Sequence, residues 1–308
     1  MQSKFCSSAV SIFNLMNTEL QNLLVLLASQ AETKTLPIAE RRRIDDEAGN
    51  QFPLPEGLKV EPITTETFKG EWVNAQGVRT DSVLVYLHGG AYIFCSPRSH
   101  RHLVAALSEA TNSAAFALDY RLAPEHPFPA AVEDSVATYR WLLDQGIAPN
   151  RITIAGDSAG GGLTIATMLS LRDAGLPLPA AGVCISPWVD LTVSGASYTA
   201  NAEAIATRDR LAGYAELYMK EMDLRHPLAS PIFGDLTGLP PLLIQVGSAE
   251  PFYDDSITLD EVAKASGVET DLEIWPEMIH VWHYFYPMLT EGRQAIARIG
   301  EFVNTKTT

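Results

Sequence analysis

The stretch "IAGDSAGGG", Ile154 to Gly162, sets one serine among glycines, and two chemistries use such letters. As G-x-S-x-G it is a nucleophile elbow, with Ser158 at the top of a sharp turn from strand to helix. As G-x-x-x-G-x-G, Gly156, Gly160 and Gly162 form a nucleotide loop whose backbone cradles phosphates. The elbow needs an oxyanion site upstream, and "LVYLHGGAY", Leu84–Tyr92, offers a strand followed by two adjacent glycines. Gly89 and Gly90 are the expected N–H donors, joined by Ala159, the residue after the serine. The base must come late in the chain. Of seven histidines, His88, His100, His102 and His126 precede Ser158, and His226 precedes the last two expected strands. Only His280 and His283 of "PEMIHVWHYF" remain. His280, first in its loop, is the expected base, with His283 a partly buried neighbour and His88 a structural member of the glycine loop. A His-x-x-His metal pair at 280 and 283 lacks a third ligand nearby.

The nucleotide reading fails on its own demands. A short-chain dehydrogenase needs its glycine loop after the first strand, but here the loop follows the fifth. No lysine has a tyrosine four positions before it, and no acidic residue ends the next strand to hold a ribose hydroxyl.

These groups must be carried by a sheet. From about residue 62, short apolar or β-branched runs alternate with helical stretches, the signature of an α/β fold with mostly parallel strands. Eight strands are expected at Ile63–Phe68, Glu71–Asn74, Val83–Leu87, Ala114–Asp119, Ile152–Ala155, Gly182–Ser186, Leu242–Val246 and Asp271–Trp275. Helices fall near 99–110, 130–144, 159–174, 254–266 and 290–303. Two segments break the alternation. Residues 1–50 carry helical patterns at Thr18–Ala31 and Ile38–Ala48, and residues 190–230 hold one at Ile205–Met222 with Leu211, Tyr214, Ala215 and Tyr218 on a single stripe. Long insertions above a sheet are lids, binding loops or helices packed on the body.

With 308 residues, 46% of them hydrophobic, the chain can bury a large core. Its 22 basic and 37 acidic residues give a charge of −15, which argues against nucleic acid as a partner. Cys6, Cys95 and Cys184 are widely spaced and form no C-x-x-C, so neither a disulfide framework nor structural zinc is expected, and a reducing cytoplasmic setting fits. Leu23 to Ala28, "LLVLLA", reads as an amphipathic helix rather than a signal core, and no apolar run approaches the roughly 20 residues of a membrane span.

Taken together, "HGGAYIFCSPRSHR", "YRLAPEHPFPAAVED", "GDSAGGGL", "SPWVDLT", "LPPLLIQVGSAE" and "MIHVWH" resemble, in order, the hormone-sensitive-lipase-like esterases, a bacterial family of α/β-hydrolases. The resemblance runs over most of residues 75–303. It implies an α/β-hydrolase fold with an eight-stranded, mostly parallel sheet and a helical cap. The cap would be built from 1–50 and 190–230, the catalytic domain from 51–189 and 231–308. It implies a serine carboxylesterase for short-chain acyl esters that uses no cofactor and no metal. Partners would be a small ester, without nucleic acid or stable membrane insertion, and a homodimer is left open. Lactone hydrolysis and amide deacetylation use the same machinery, and some plant relatives are receptors that lack the histidine which His280 supplies here.

Asp157 then reads as a brace of the elbow, and Glu125 and Asp134 as structural. Trp188 is expected to bound the acyl pocket, with Tyr92 and Tyr214 as further substrate-binding residues. Two departures stand out. Ala91 replaces the third glycine of H-G-G-G, which puts a methyl near the alcohol side. Glu250 stands where the family's D-P-L-x-D has its aspartate. Asp254 and Asp255 follow it, but they open a helix and are explained there by capping and the dipole. Glu250 is therefore the expected triad acid.

Overall fold

The computed structural model describes residues 18–29, 36–201 and 206–307. Cys6, the expected helix end at 30–31 and the expected helix start at Ile205 lie outside them. The elements run α1 (Thr18–Ser29), α2 (Ile38–Gly49), β1 (Lys59–Thr64), β2 (Lys69–Asn74), β3 (Arg79–Leu87), α3 (Pro97–Thr111), β4 (Ser113–Asp119), α4 (Ala130–Asp144), β5 (Ile152–Asp157), α5 (Ala159–Asp173) and β6 (Ala181–Ile185). They continue through α6 (Ser197–Ala200), α7 (Arg208–Met219), β7 (Leu242–Gly247), α8 (Tyr253–Ala265), β8 (Thr270–Trp275) and α9 (Thr290–Lys306).

The eight strands form one sheet in the order β1-β2-β4-β3-β5-β6-β7-β8. The β1–β2 and β2–β4 pairs are antiparallel and the rest are parallel. Alternation along the strands divides the core. Val83, Val85 and Leu87 of β3 face one layer with α4, α5 and α8, while Leu84 and Tyr86 face the other with α3 and α9. Because both faces are covered, the central strands read as unbroken apolar runs.

One strand sits earlier than its sequence pattern suggests. β1 ends at Thr64 because the Thr65 hydroxyl accepts the N–H groups of Thr67 and Phe68 at 3.2 and 3.0 Å, and that local turn competes with extended pairing. At the N-terminus, Leu20 and Leu23 of α1 pack on Met278, Ile279 and Trp282, beside the expected catalytic histidine. Leu24, Val25 and Leu26 remain exposed, so the apolar residues of "LLVLLA" do not form one buried face. Among the described residues no helix is long and apolar enough to cross a membrane.

The loops that follow β3, β5, β7 and β8 leave from the carboxyl ends of neighbouring strands. They carry Gly89–Tyr92, Ser158, Glu250 and His280 respectively, so sheet topology alone gathers residues far apart in sequence.

Candidate active site

Ser158 occupies the turn between β5 and α5 with φ 53° and ψ −121°, a conformation that L-residues rarely adopt. The turn is held from outside: Ser158 N–H donates to Ile185 O at 2.8 Å, and Trp188 N–H donates to Ser158 O at 2.9 Å. The flanking glycines are required by close approach. A Cβ on Gly156 would lie 2.3 Å from Gly160 O, and one on Gly160 would lie 1.9 Å from Leu87 O. Ser158 is 7% exposed and lines a cavity of about 550 Å³.

His280 lines the same cavity. Its Nδ1 is 2.6 Å from Glu250 Oε2, and Glu250 is fully buried. The other carboxylate oxygen, Oε1, accepts from Ser186 Oγ at 2.9 Å and from Gly247 N–H at 2.6 Å. Both oxygens are thus committed and the imidazole is held by its Nδ1 edge, with the Phe252 ring 4.5 Å from it. His283 is not a second ligand or base: its Nε2 pairs with Gln245 Oε1 at 2.7 Å, and burial pushes its pKa down to about 3. Among the described residues no group of three or more His, Cys, Asp or Glu side chains could hold a metal.

The glycine loop differs from expectation at one residue. Gly89 N–H donates to Asp157 Oδ1 at 2.9 Å, and a Cβ at Gly89 would fall 2.2 Å from Asp157 Oδ2. Gly89 is therefore spent on bracing the loop against the elbow and is not an oxyanion donor. The next residues, Gly90 and Ala91, have φ of 103° and 55° and both line the cavity. No acceptor among the described residues takes their N–H groups. The donor set that the geometry presents is Gly90, Ala91 and Ala159, the last at the N-terminus of α5.

Asp157 is the brace that its position suggests. It accepts from Tyr86 Oη at 2.7 Å as well as from Gly89, and His100 Nε2 lies 3.4 Å from its other oxygen. Burial works to raise its pKa, but the His100 charge and these hydrogen bonds outweigh it and hold it at about 2. His88 is structural: its Nδ1 meets Gly89 O at 2.7 Å, its ring stacks on Tyr120, and burial takes its pKa to about 3. Asp134 and Glu125 pair with Arg121 and Arg42.

Of the expected pocket residues, only Tyr214 lines the cavity, edge-on to Phe94 at 5.3 Å. Trp188 is fully buried with its Nε1 donating to Asp190 O at 3.0 Å; its backbone braces the elbow, and its ring packs against Phe252, which lines the cavity. Tyr92 is 1% exposed and stacked on Tyr218, away from the cavity. Both belong to the core because the loops after β3 and β6 turn these rings under themselves, which local sequence does not encode. Asp254 and Asp255 also correct the expectation, since neither caps α8. Asp255 accepts from the N–H groups of Val189 and Asp190 and from Tyr198 Oη, and Asp254 accepts from Ser197 N–H. They tie the stretch after β6 to α8. Sequence reasoning missed Phe52, Phe94 and Met288 on the cavity wall, and the Arg41–Asp45 pair whose i,i+4 spacing was the one available signal.

The chain matches the family described as alpha/beta hydrolase fold over residues 84–284. It is similar to a protein of Streptomyces hygroscopicus named acetyl-hydrolase, 50% identical over 295 residues that cover 94% of this chain and 97% of that one. An esterase of Acinetobacter venetianus is 34% identical over 267 residues, covering 86% of this chain and 88% of its own. Among solved structures, an esterase from the bacterial hormone-sensitive lipase family superposes with a TM-score of 0.91 at 45% identity, covering 95% of this chain and 99% of the other.

Proposed function

The chain belongs to the alpha/beta hydrolase fold family, among the hormone-sensitive-lipase-like carboxylesterases, and on that premise we propose that Ser158, His280 and Glu250 form its catalytic triad and act through an acyl-enzyme. Ser158 Oγ attacks the ester carbonyl while its proton passes to His280 Nε2. Glu250 keeps the imidazole in the tautomer with hydrogen on Nδ1 and stabilises the imidazolium that forms. The carbonyl oxygen, now an oxyanion, takes hydrogen bonds from the N–H groups of Gly90, Ala91 and Ala159. The tetrahedral adduct collapses, the C–O bond to the alcohol breaks, and the alcohol leaves with the proton from His280. Water then repeats the sequence on the acyl-serine, with His280 taking its proton and returning it to Ser158 as the carboxylic acid departs.

The observation that carries this reading is the hydrogen bond of His280 to the buried carboxylate of Glu250 in the cavity that Ser158 lines. The substrates are short-chain acyl esters, a reading to which the relative named acetyl-hydrolase lends support. Residues of α1, α2 and α7 line the cavity opposite the strand ends, which favours 1–50 and 190–230 as the cap. The free thiols of Cys95 and Cys184 favour the cytoplasm. Purified protein assayed on p-nitrophenyl acetate and butyrate tests the mechanism. Ser158→Ala and His280→Ala should each lower kcat by roughly 10⁴-fold with unchanged melting, because the residues work as a unit. A variant that keeps a tenth of wild-type kcat removes its residue from the triad.

A further inference from the structure

Three consecutive arginines on α2 are used in three ways. Arg42 is spent on the fold: its guanidinium donates to Ile93 O, Ala123 O and both oxygens of Glu125, which fastens α2 to the body. Arg43 reaches Glu47 across exposed surface. Arg41 lines the catalytic cavity, with its guanidinium carbon 5.8 Å from the centre of the Phe94 ring. Its Nε donates to Asp45 Oδ1 at 2.7 Å, and its two Nη groups have no acceptor among the described residues. Asp45 lines the same cavity and is similarly half used, since its Oδ2 is enclosed without a hydrogen-bond partner among the described residues.

The other acidic and histidine side chains on that wall are occupied. Asp157 holds Tyr86 and Gly89, His100 Nδ1 meets Ser99 Oγ, and His280 is held by Glu250. An i,i+4 pair stabilises an isolated helix by only about 0.2–0.5 kcal/mol, so helix stability does not account for this largely shielded guanidinium on the wall of a cavity it shares with Leu211, Tyr214, Phe252 and Ile279. Binding cavities of this size are mostly apolar with a few polar groups that orient the ligand. The edge of Arg41 that remains, Nη1 with Nη2, matches two oxygens of one planar anion.

We infer that Arg41 is a specificity-determining residue that binds a carboxylate on the non-reacting part of the ester, so that the preferred substrates are half-esters of dicarboxylic acids or acyl esters of hydroxy acids. The inference rests on the esterase reading above and names the substrate class for it. Asp45 fixes the guanidinium by its Nε and leaves the outer edge to the ligand.

The test compares matched substrates in two series. On the acyl side these are p-nitrophenyl hydrogen glutarate and p-nitrophenyl valerate; on the alcohol side, 3-acetoxypropanoate and butyl acetate. The readout is the ratio of kcat/KM for the charged over the neutral member. In one series that ratio should fall tenfold or more from wild type to Arg41→Met, through KM, and Arg41→Lys, which keeps the charge without the fork, should fall between. Ratios unchanged by Arg41→Met in both series overturn the inference. Calorimetric titration of monomethyl glutarate into Ser158→Ala, and into Ser158→Ala carrying Arg41→Met, separates this from the catalytic reading. Should wild type hydrolyse none of the esters, the catalytic reading fails, while tenfold weaker binding without Arg41 still supports the subsite and equal binding overturns it.

Discussion

Tyr218 of α7 lies face to face on Tyr92, ring centroids 3.9 Å apart and planes within 2° of parallel. Tyr92 immediately follows Gly90 and Ala91, so a helix of the insertion packs directly on the loop that carries the proposed oxyanion donors. Neither phenol oxygen has a hydrogen-bond partner among the described residues, and burial pushes both hydroxyl pKa values up, so the contact is one of ring faces and not of polar atoms. Tyr218→Phe should keep kcat and raise the melting temperature, because it removes a buried hydroxyl whose missing bond costs about 1–3 kcal/mol. Tyr218→Leu, which loses the flat face, should lower kcat on p-nitrophenyl butyrate by about tenfold while KM changes little. Equal losses in the two variants would show that the ring face does not position the loop.

Gly89 and Ala91 should respond in opposite directions to a single methyl. In Gly89→Ala the new Cβ meets Asp157 Oδ2 at 2.2 Å and displaces the carboxylate that accepts the residue's own N–H. A loss of about 3 kcal/mol in urea unfolding is expected, at the upper end for one substitution. Ala91 has φ 55°, where glycine is at ease, and its methyl lies on the cavity wall. Ala91→Gly should therefore fold normally and raise kcat/KM for tert-butyl acetate relative to ethyl acetate by about tenfold, as room for a branched alcohol opens. A ratio that stays put places the methyl away from the alcohol.

What was legible in the sequence was whatever a local constraint or chain order enforces. Gly156 and Gly160 had to be glycine because strand and helix backbones touch there, and the late position of His280 follows from which loop leaves which strand. The misassignments share one cause. Whether Gly89 or Ala91 offers its N–H depends on Asp157, 68 residues away in sequence. Whether Trp188 and Tyr92 face the cavity or the core depends on Phe252 and Tyr218 arriving from other elements. Asp255 does stand in the first turn of α8, as its position suggests, but the loop after β6 uses its carboxylate and it does not cap the helix. Arg41 escaped notice because an i,i+4 partner such as Asp45 marks many surface helices, and the cavity it lines becomes visible only once α2 is placed.

Stability should fall on mild acidification. Burial holds His88 and His283 at pKa values of about 3 and His102 at about 4, against an ordinary value of 6.5. The unfolded chain therefore binds protons below pH 6.5 that the folded chain refuses until pH 4 to 3, so their contribution is full above 6.5 and is lost as pH falls toward 3. Asp157, held at about 2 against an ordinary 3.8, adds a loss confined to pH below 4. Burial holds Asp255 up at about 8 against an ordinary 3.8, an opposite contribution of one proton that is lost as pH rises toward 8. Unfolding free energy from urea titrations should therefore peak between about pH 6.5 and 7 and decline below it, where the three histidines outweigh this one carboxyl. His283→Gln, which can still donate to Gln245 Oε1, should make that decline shallower by about one proton, or ~1.4 kcal/mol per pH unit. A slope matching wild type would mean that His283 is not a source of the acid lability.

The identity of the triad acid rests on what each carboxylate of the loop after β7 touches. Glu250 gives one oxygen to His280 Nδ1 and the other to Ser186 Oγ and Gly247 N–H. In Glu250→Gln the amide can satisfy Gly247 only by turning its NH₂ toward Nδ1, where it favours the wrong tautomer, and in either orientation the charge that stabilises imidazolium is gone. The expected loss in kcat is roughly 10³- to 10⁴-fold, with KM for a short ester little changed. Asp255 has no contact with His280. Its oxygens hold Val189 N–H, Asp190 N–H and Tyr198 Oη, so Asp255→Asn should leave one buried donor unpaired, cost about 1–3 kcal/mol of stability, and lower kcat by less than tenfold. Asp254, itself half-buried and with its Oδ2 holding the Ser197 N–H, should be milder still on both counts when changed to asparagine. Rates under saturating p-nitrophenyl butyrate and melting temperatures of the three variants, measured side by side, decide the assignment. A larger kcat loss in Asp255→Asn than in Glu250→Gln would move the acid to Asp255 and reduce Glu250 to holding the loop.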